Sequence, residues 1–417
     1  MIECDVAVIG GGAAGLVAAI AAARCGAKTV IIEHTDRVGK KILATGNGKC
    51  NYTNKLQGVS FYRGEDPAFV LPVFEQFGFE ETVAFFEELG IFPKEKSGYY
   101  YPACGQASAV LDVLRMELDF LGVQILTSCK CKDVKKEKNR FSVSTWNDKI
   151  HAKTIIFATG LLASPKTGSD GSAFPHIEKL GHRFIDIVPA LVQLQGKQAF
   201  LKAIAGIRAE VCIDLYIEKR KISTESGELQ LTEFGISGIP VFQLSRYATR
   251  ALRQKKAVYA LINFTPNLKE EELLDMLRQR FSSHARGKKA NEALVGLFNK
   301  KLIDVLLKEA GISLHTGARQ VTEAQLLTLC GTIRRFRVDV IGSKGFDTAQ
   351  VCAGGVDTAE IDCHTMESRL VRGLYFAGEV VDIDGTCGGY NLQWAWSSGY
   401  VAGSHAASCA ASYGGKK

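Results

Sequence analysis

The first 33 residues constrain the fold more than any other part of the chain. Val6 to Ile9 is a short apolar run that predicts a buried strand. It leads into a turn with the pattern G-x-G-x-x-G, followed by an alanine-rich stretch that predicts a helix ending near Gly26. Thr29 to Ile32 predicts a second strand, which ends at Glu33. This order of elements is the first half of a doubly wound α/β fold that binds a dinucleotide.

Each glycine of the turn has a predicted task. Gly10 allows the tight turn, Gly12 lets the backbone approach a pyrophosphate, and Gly15 lets the helix pack closely on the strand. Because the whole strand, turn and helix context is present, the pattern indicates far more than an ordinary glycine turn.

The start of the helix and Glu33 complete the predicted nucleotide site. Ala13 and Ala14 open the helix, where free N–H groups and the helix dipole favour phosphates. Glu33 lies 23 residues after Gly10, about where a carboxylate bonds the ribose hydroxyls. Since a carboxylate repels a 2′-phosphate, the sequence favours FAD or NAD over NADP.

A long polar segment favours FAD over NAD. Residues 39–54 are rich in glycine and polar side chains, and a loop of this length inside a compact domain is usually functional. Its small and basic residues suit a backbone that runs along phosphate and flavin, with an ordinary surface loop as the alternative. The predicted cofactor-binding residues here are Lys41, Thr45, Gly46, Asn47, Gly48 and Asn51. Lys49 and Cys50 are predicted catalytic residues.

Two later segments extend the predicted site. A strand from His151 to Phe157 runs into a small-residue stretch, and an apolar strand from Gly373 ends in a small residue and an acid. A glycine turn then opens a small-residue helix, whose N-terminal N–H groups can stabilise negative charge on a reduced flavin. The predicted cofactor-binding residues of this part are Val134, Ala158, Thr159, Gly160, Gly378, Glu379 and Asp384.

Predicted binding segments for one cofactor lie near both ends of the chain, so the chain must return to its first domain. The middle therefore reads as an insertion of alternating strands and amphipathic helices. The predicted division is 1–190 for the first part of the FAD domain, 191–265 for a β-rich insert, 266–330 for a helical subdomain, 331–352 for the return of the β-rich insert, and 353–417 for the C-terminal part of the FAD domain.

Charge and cysteine usage exclude several classes of protein. The 51 Lys and Arg against 44 Asp and Glu give a net charge of +7, which is mild for this length and predicts no nucleic-acid partner. No run of about 18 uncharged apolar residues is present, so no membrane segment is expected. The twelve cysteines include no C-x-x-C pair, so neither a redox dithiol nor a metal site is predicted. The N-terminus lacks a secretory signal, and we expect a cytoplasmic protein.

These motifs identify the chain as resembling the bacterial HI0933-like flavoproteins, also called YhiN-like, BaiN-like or the aminoacetone oxidase family. The resemblance spans nearly the whole chain. It rests on Gly10 to Gly15, Lys40 to Asn54, Ala158 to Gly171, Thr232 to Pro240, Ala353 to Val356 and Thr365 to Gly403. Tyr99 to Tyr101 depart from the more polar stretch that is common in the family.

The resemblance implies a fold and a cofactor. The fold is a two-dinucleotide-binding, Rossmann-like FAD domain with an inserted β-barrel-like domain and a small helical domain. FAD would bind with Glu33 on the adenosine ribose. The isoalloxazine would lie near the loop Thr45 to Asn51 and near the turn that contains Gly388, Gly389, Asn391, Leu392 and Gln393.

The resemblance also implies an activity, since BaiN-like members are associated with reduction of C=C bonds in oxo bile-acid intermediates. We expect a flavin-dependent oxidoreductase that passes hydride through FAD to an activated C=C bond. Only one G-x-G-x-x-G is present, so NAD(P)H would bind transiently as the electron donor. Tyr390 joins Cys50 and Lys49 as a predicted catalytic residue, and Tyr101 is a further possible proton donor. The alternatives are an amine-type oxidase and a tRNA-linked flavoprotein. We expect a small-molecule substrate and a monomer or homodimer.

Overall fold

The chain divides into two units. The computed structural model describes residues 1–413. The first unit consists of Met1–Val188 together with Gln350–Lys417, and the second consists of Pro189–Ala349. The insertion therefore begins at residue 189 and ends at residue 349, while the finer division into β-rich and helical parts stays a prediction.

Residues 1–413 form twenty strands. They are β1 Ile2–Ile9, β2 Thr29–Ile32, β3 Thr53–Asn54, β4 Tyr62–Arg63, β5 Pro93–Lys96, β6 Tyr99–Pro102, β7 Gln124–Leu126, β8 Asp133–Lys136, β9 Phe141–Ser144, β10 Lys149–Phe157, β11 Phe184–Ala190, β12 Leu194–Gly196, β13 Arg208–Ile217, β14 Arg220–Thr232, β15 Gly235–Ser237, β16 Val258–Asn263, β17 Phe336–Ser343, β18 Val351–Val356, β19 Leu374–Phe376 and β20 Asp384–Gly385.

The same residues form twelve α-helices. They are α1 Ala13–Arg24, α2 Lys40–Ala44, α3 Val70–Gln76, α4 Phe79–Glu88, α5 Ala107–Phe120, α6 Phe174–Lys179, α7 Ile239–Arg253, α8 Glu270–Phe281, α9 Ala290–Ala293, α10 Lys300–Glu309, α11 Glu323–Arg334 and α12 Tyr390–Ser412. The short helix α2 lies inside the segment that the sequence predicts as a loop.

A seven-stranded sheet organises the first unit. Its order is β7-β2-β1-β10-β9-β8, with β19 paired to β10. The strands β7, β2, β1, β10 and β19 are parallel to their neighbours, whereas β9 and β8 are antiparallel. All four residues of β2 are buried, as expected of a parallel strand that is covered on both faces. The carboxyl ends of β1, β2, β10 and β19 therefore meet at one edge, where ligands bind in open α/β sheets.

Two helices of small residues pack closely beside this sheet. Nine consecutive residues of α1, from Ala14 to Ala22, are buried. Across from them, a Cβ on Gly399 would lie 2.5 Å from the Ala14 carbonyl oxygen, and one on Gly403 would lie 2.2 Å from that of Ala18. The backbones of α1 and α12 thus approach as closely as glycine permits. Although α12 has 23 residues, no helix within residues 1–413 is long and apolar enough to cross a membrane.

The second unit contains a closed barrel of β12-β15-β14-β13-β16-β17. Inward-facing residues of its strands alternate with outward-facing ones, as in the buried Val211, Ile213 and Leu215 of β13. The helices α8 to α11 add Leu273, Leu306 and other buried side chains to the same apolar core. This arrangement agrees with the implied barrel-like insert.

A buried histidine in the first unit, His182, predicts that the stability of the protein depends on pH. His182 contacts Glu360 through Nδ1 at 3.0 Å and Ser368 through Nε2 at 2.8 Å. Burial lowers the pKa of His182 below its usual 6.5, although Glu360 opposes this shift. Because the folded state favours the neutral ring, the unfolded chain binds the proton more readily. The stability that this histidine contributes is therefore present above about pH 6.5 and is lost as the pH falls.

We expect the free energy of unfolding to be lower at pH 5 than at pH 7.5, and the difference to shrink in His182→Gln. The exposed His364 provides the control, because His364→Gln should keep the full difference. Urea unfolding at the two pH values measures it. Equal differences in His182→Gln and the unsubstituted protein would show that His182 is not responsible.

Candidate functional site

A cavity opens at the carboxyl edge of the parallel strands. Glycine and other small residues that follow β1, β10 and β19 line much of it. The predicted cofactor-binding residues that line it are Gly10, Gly12, Ala13, Ala14, Glu33, Lys41, Ala158, Thr159, Gly160, Gly378 and Glu379. The structure therefore brings eleven of the predicted residues together around one cavity.

The three glycines of the turn differ in what surrounds them. A Cβ on Gly15 would lie 1.9 Å from the Gly10 carbonyl oxygen, and one on Gly10, at φ +103°, would lie 2.5 Å from that of Ala158. These two positions have no room for a side chain. A Cβ on Gly12 would meet no protein atom within 4 Å. Gly12 instead borders the cavity at the N-terminus of α1, whose first turn holds no acidic residue, so this end favours a phosphate.

Glu33 is held rigidly at the edge of the cavity. Its Oε2 accepts a hydrogen bond from Gly11 N at 2.8 Å, and its Oε1 accepts one from Thr35 N at 2.7 Å. A carboxylate has about four lone-pair positions, so each oxygen can still accept a bond from a ligand hydroxyl. This geometry suits the two adjacent hydroxyls of a ribose.

A second loop near Glu33 contains none of the predicted cofactor-binding residues. Thr167 to Ala173 line the cavity, and a Cβ on Gly168 would lie 3.8 Å from Glu33 Oε1. The pKa of Asp170 in this loop is lowered below its usual value. Burial alone would raise this pKa, but the hydrogen bonds from Ser172 and the charge of His34 outweigh the effect of burial. The glycine-rich, polar composition that marked residues 39–54 also marks this segment and could have identified it.

An ion pair also lines the cavity. Lys41 Nζ lies 2.8 Å from Glu379 Oε2. The other oxygen, Oε1, accepts a hydrogen bond from Cys352 N at 2.7 Å. The fixed carboxylate and the paired ammonium place one charge of each sign where a polar chain of hydroxyls and phosphates can be bound.

The other predicted residues form a second cluster. Asn54 Nδ2 donates to the Gly388 carbonyl at 3.0 Å, and a Cβ on Gly389 would lie 3.0 Å from Asn51 Oδ1. That amide oxygen is buried and makes no hydrogen bond with another described residue. The structure thus joins the loop after α2 to the turn before α12. The buried acceptor suits an N–H donor such as the one that a flavin ring carries.

Helix α12 connects the two clusters. Ala395 lines the cavity, and Gly389, six residues earlier, caps the helix. At 1.5 Å per residue these positions are about 9 Å apart. A ligand that reaches from Ala395 at the cavity to Gly389 in the second cluster must therefore be elongated. The carboxylate Glu33, the N-terminus of α1 and the buried amide acceptor of Asn51 match the ribose, the pyrophosphate and the ring of FAD, so the residues fit this cofactor.

Val134 and Gln393 do not line the cavity, and their contacts with the cofactor stay predictions. Val134 is buried in β8 and does not line the cavity, whereas Cys129 to Cys131 do. Gln393 Nε2 donates to Thr82 and to two further acceptors, and Gln393 Oε1 accepts from the Thr53 hydroxyl. With its amide fully engaged inside the protein, Gln393 positions α12.

The remaining predicted residues stand outside the cavity. Asn391 bonds both backbone groups of Gly385 and so fixes the turn before α12. Asp384 is buried beside β4. The other residues, whose cofactor contacts stay predictions, are Thr45, Gly46, Asn47, Gly48 and Leu392.

The three predicted catalytic residues differ in exposure. Lys49 is exposed. Tyr390 is 3% exposed and stacks on Phe61 with ring centroids 4.5 Å apart, and burial raises its pKa to about 12. Cys50 is fully buried, and burial raises the pKa of its thiol to about 12. None of the three lines the cavity, and the surroundings of Cys50 and Tyr390 indicate packing.

We therefore expect Cys50→Ser to keep its bound FAD and its turnover within about twofold, because a neutral buried thiol is inert. The native protein should also resist alkylation of Cys50 by iodoacetamide. Peptide mass mapping and a turnover assay at matched FAD content measure both. A loss of turnover greater than about tenfold at unchanged FAD content would return Cys50 to the catalytic residues.

Comparison with known proteins identifies the family of the chain. The family model described as the HI0933-like protein Rossmann domain matches residues 4–405. The 3-dehydro-bile acid delta(4,6)-reductase of Clostridium scindens is 41% identical over 96% of this chain and 98% of its own length. The ribosomal RNA dihydrouridine synthase of Haemophilus influenzae is 33% identical over 94% of this chain and 96% of its own.

Solved structures show the same fold. A 3-ketosteroid-delta4-(5alpha)-dehydrogenase from Rhodococcus jostii RHA1 superimposes with a TM-score of 0.50, at 14% identity over 97% of both chains. A flavocytochrome c3 fumarate reductase gives a TM-score of 0.51, at 15% identity over 98% of this chain and 79% of its own. The chain therefore has the Rossmann-type fold of FAD-dependent oxidoreductases, and it belongs to the HI0933-like family of flavoproteins.

Proposed function

We propose that this chain uses bound FAD to reduce a C=C bond conjugated with a carbonyl group, with a 3-oxo steroid as the acceptor and NAD(P)H as the electron donor. The observation that carries the proposal is the 41% identity to the bile acid reductase, which extends over almost the full length of both proteins. The matched region covers 96% of this chain.

The cofactor residues support the flavin part of the proposal. Reduced FAD supplies a hydride equivalent when it is bound. The chain would hold its ribose at Glu33 and its pyrophosphate at Gly12 and the start of α1. The second cluster, at Asn51 and Gly389, would hold the ring.

The bond chemistry of the relatives supports the acceptor class. One relative is named as a reductase of bile acid 4,6 double bonds next to a 3-oxo group, and two are named as enzymes that form dihydrouridine. In each case the C=C bond that is reduced is conjugated with a carbonyl group. An activated C=C bond is therefore the shared feature, and the steroid is the acceptor of the relative with the higher identity.

The proposal is tested by product analysis. Purified protein with NADH or NADPH should convert a 3-oxo-4-ene steroid to its saturated ketone without oxygen, and mass spectrometry should show a gain of two hydrogens. A saturated 3-oxo steroid serves as the unreactive control. Amine oxidation in the same assay, without enone reduction, would replace the proposal by the amine-type oxidase.

The charge distribution favours a second acceptor, a uridine in RNA. Residues 189–349 hold 25 Lys and Arg against 16 Asp and Glu, a net charge of +9, whereas the rest of the chain holds 26 against 28, a net charge of −2. The net charge of the chain is therefore concentrated in the inserted unit. Such asymmetry is typical of proteins that bind a polyanion.

One surface of the insert carries exposed cations. Arg286, Lys288 and Lys289 are exposed, and no ion pair joins them to a carboxylate of the described residues. Lys289 pairs with Gly317 in a β-bridge, which brings the exposed Arg319 beside them. We call these four residues the basic surface.

Alanine at Arg286, Lys288 and Lys289 tests this second acceptor. If RNA is the substrate, the triple variant should bind ribosomal RNA more weakly and with a smaller salt dependence. A complex with fewer phosphate contacts releases fewer counterions when it forms. Its reduction of a small enone should be unchanged. Equal RNA binding by the variant and the unsubstituted protein would rule out the basic surface as an RNA site.

A further inference from the structure

Three tyrosines in succession on β6 divide between two faces. Side chains alternate along a strand, so Tyr99 and Tyr101 share one face and Tyr100 lies on the other. The Tyr100 ring packs against Phe79 with centroids 5.0 Å apart and against Tyr52 at 6.4 Å. Tyr100 thus belongs to the aromatic packing beneath the strand, and the other two rings face away from it.

The face with Tyr99 and Tyr101 lies against the second cluster. A Cβ on Gly46 would lie 4.0 Å from Cε1 of Tyr101, and one on Gly388 would lie 3.0 Å from Cε1 of Tyr99. Gly46 belongs to the loop after α2, and Gly388 to the turn before α12. The two phenol rings therefore flank the residues that would hold the flavin ring.

The hydroxyl of Tyr101 is available to a ligand, in contrast to that of Tyr390. Tyr101 is half-buried, and its hydroxyl makes no hydrogen bond with another residue in the described part of the chain. Burial and the neighbouring Tyr99 raise its pKa, so the phenol stays protonated at neutral pH. Tyr390 is almost fully buried under Phe61 and Tyr62.

We propose that Tyr101 donates the proton to the α-carbon of the conjugated C=C bond. This assignment rests on the proposed function, and it holds for a steroid and a uridine alike because both carry the same conjugated unit. A phenol that is neutral, half-exposed and beside the flavin cluster is the group that the geometry provides for this task.

The step balances without any further reagent. A hydride forms the new C–H bond at the β-carbon, and the π electrons move toward the carbonyl oxygen to give an enolate. The O–H bond of Tyr101 then breaks as the α-carbon takes the proton. The tyrosinate regains a proton from water, and NAD(P)H supplies the two electrons of each cycle.

Tyr101→Phe tests the assignment, with Tyr100→Phe as the matched control on the opposite face. The holoenzymes are reduced without oxygen and mixed with an enone or a nitroalkene. The nitroalkene separates the two steps, because hydride addition to it gives a nitronate that is stable without protonation. We expect Tyr101→Phe to reduce the enone about 100-fold more slowly. It should consume the nitroalkene at the unsubstituted rate and release the nitronate. Tyr100→Phe should yield the protonated nitroalkane.

A substrate-free titration adds a second readout. Difference absorbance of the phenols should show that Tyr101→Phe removes one group that ionises above pH 10, as the raised pKa requires. Full enone reduction by Tyr101→Phe would overturn the assignment of Tyr101. If the unsubstituted protein reduces neither acceptor, the proposed function fails, and the assignment of Tyr101 fails with it.

Discussion

Gly15→Ala is expected to destabilise the first unit by at least about 3 kcal/mol, which is the upper end of what overpacking usually costs. The added Cβ would lie 1.9 Å from the carbonyl oxygen of Gly10 and 3.3 Å from Cβ of Ala158. Neither neighbour can easily move, since Gly10 is itself held at φ +103° in the turn and Ala158 follows β10 in the centre of the sheet. The strand and the helix would have to separate.

Gly12→Ala is the matched control. Its Cβ would meet no protein atom within 4 Å, and its φ of −83° suits alanine. We expect the apoprotein to stay within about 1 kcal/mol of the original stability, the usual scale of an N-cap exchange. FAD should bind more weakly, because the methyl group occupies space beside the cavity. Urea unfolding and FAD titration of both variants measure these effects. Equal unfolding midpoints for Gly15→Ala and the original protein would contradict the packing described.

Glu33→Ala is expected to weaken FAD binding by roughly 10- to 100-fold, since hydrogen bonds to a charged group contribute about 1.5–3 kcal/mol. The substitution removes the acceptor of two backbone N–H groups, those of Gly11 and Thr35, and also the carboxylate that would bind the ribose. Because Glu33 is only 7% exposed, water replaces these bonds poorly.

Asp36→Ala controls for the loss of a negative charge near the cavity. Asp36 is exposed, pairs with Lys40 and does not line the cavity, so its removal should leave the FAD dissociation constant nearly unchanged. Fluorescence titration of the apoproteins gives the three constants. Similar FAD affinity in Glu33→Ala and the original protein would show that the carboxylate does not bind the cofactor.

The nucleotide half of the site could be predicted because its requirements are local. Gly10, Gly15 and Glu33 lie within 24 consecutive residues, and each answers a steric or hydrogen-bonding need that sequence spacing reveals. The glycine-to-carbonyl distances in the structure follow from those needs. The loop from Thr167 to Ala173 reaches the same carboxylate from a distant part of the chain, and no local spacing connects the two.

Long-range contacts also decide the surroundings of Gln393 and Val134. Gln393 resembles a ligand-binding amide in sequence, yet its partners Gly78 and Thr82 lie more than 300 residues away along the chain. Val134 is buried in β8, and one or two residues of register decide which side chains of a strand are buried. The total charge of +7 likewise does not show that the two units differ in net charge, because this difference appears only when the domain boundaries are known.

The reduction of an activated C=C bond is tested most directly by the reoxidation of the reduced protein. The purified holoenzyme is reduced chemically without oxygen and mixed in a stopped-flow instrument with a 3-oxo-4-ene steroid, and absorbance at the flavin band is recorded. The proposed function predicts that the oxidised flavin band returns at a rate that depends on steroid concentration, while the saturated 3-oxo steroid has no effect. A band that stays bleached with every enone and with uridine-containing RNA would contradict the proposed function.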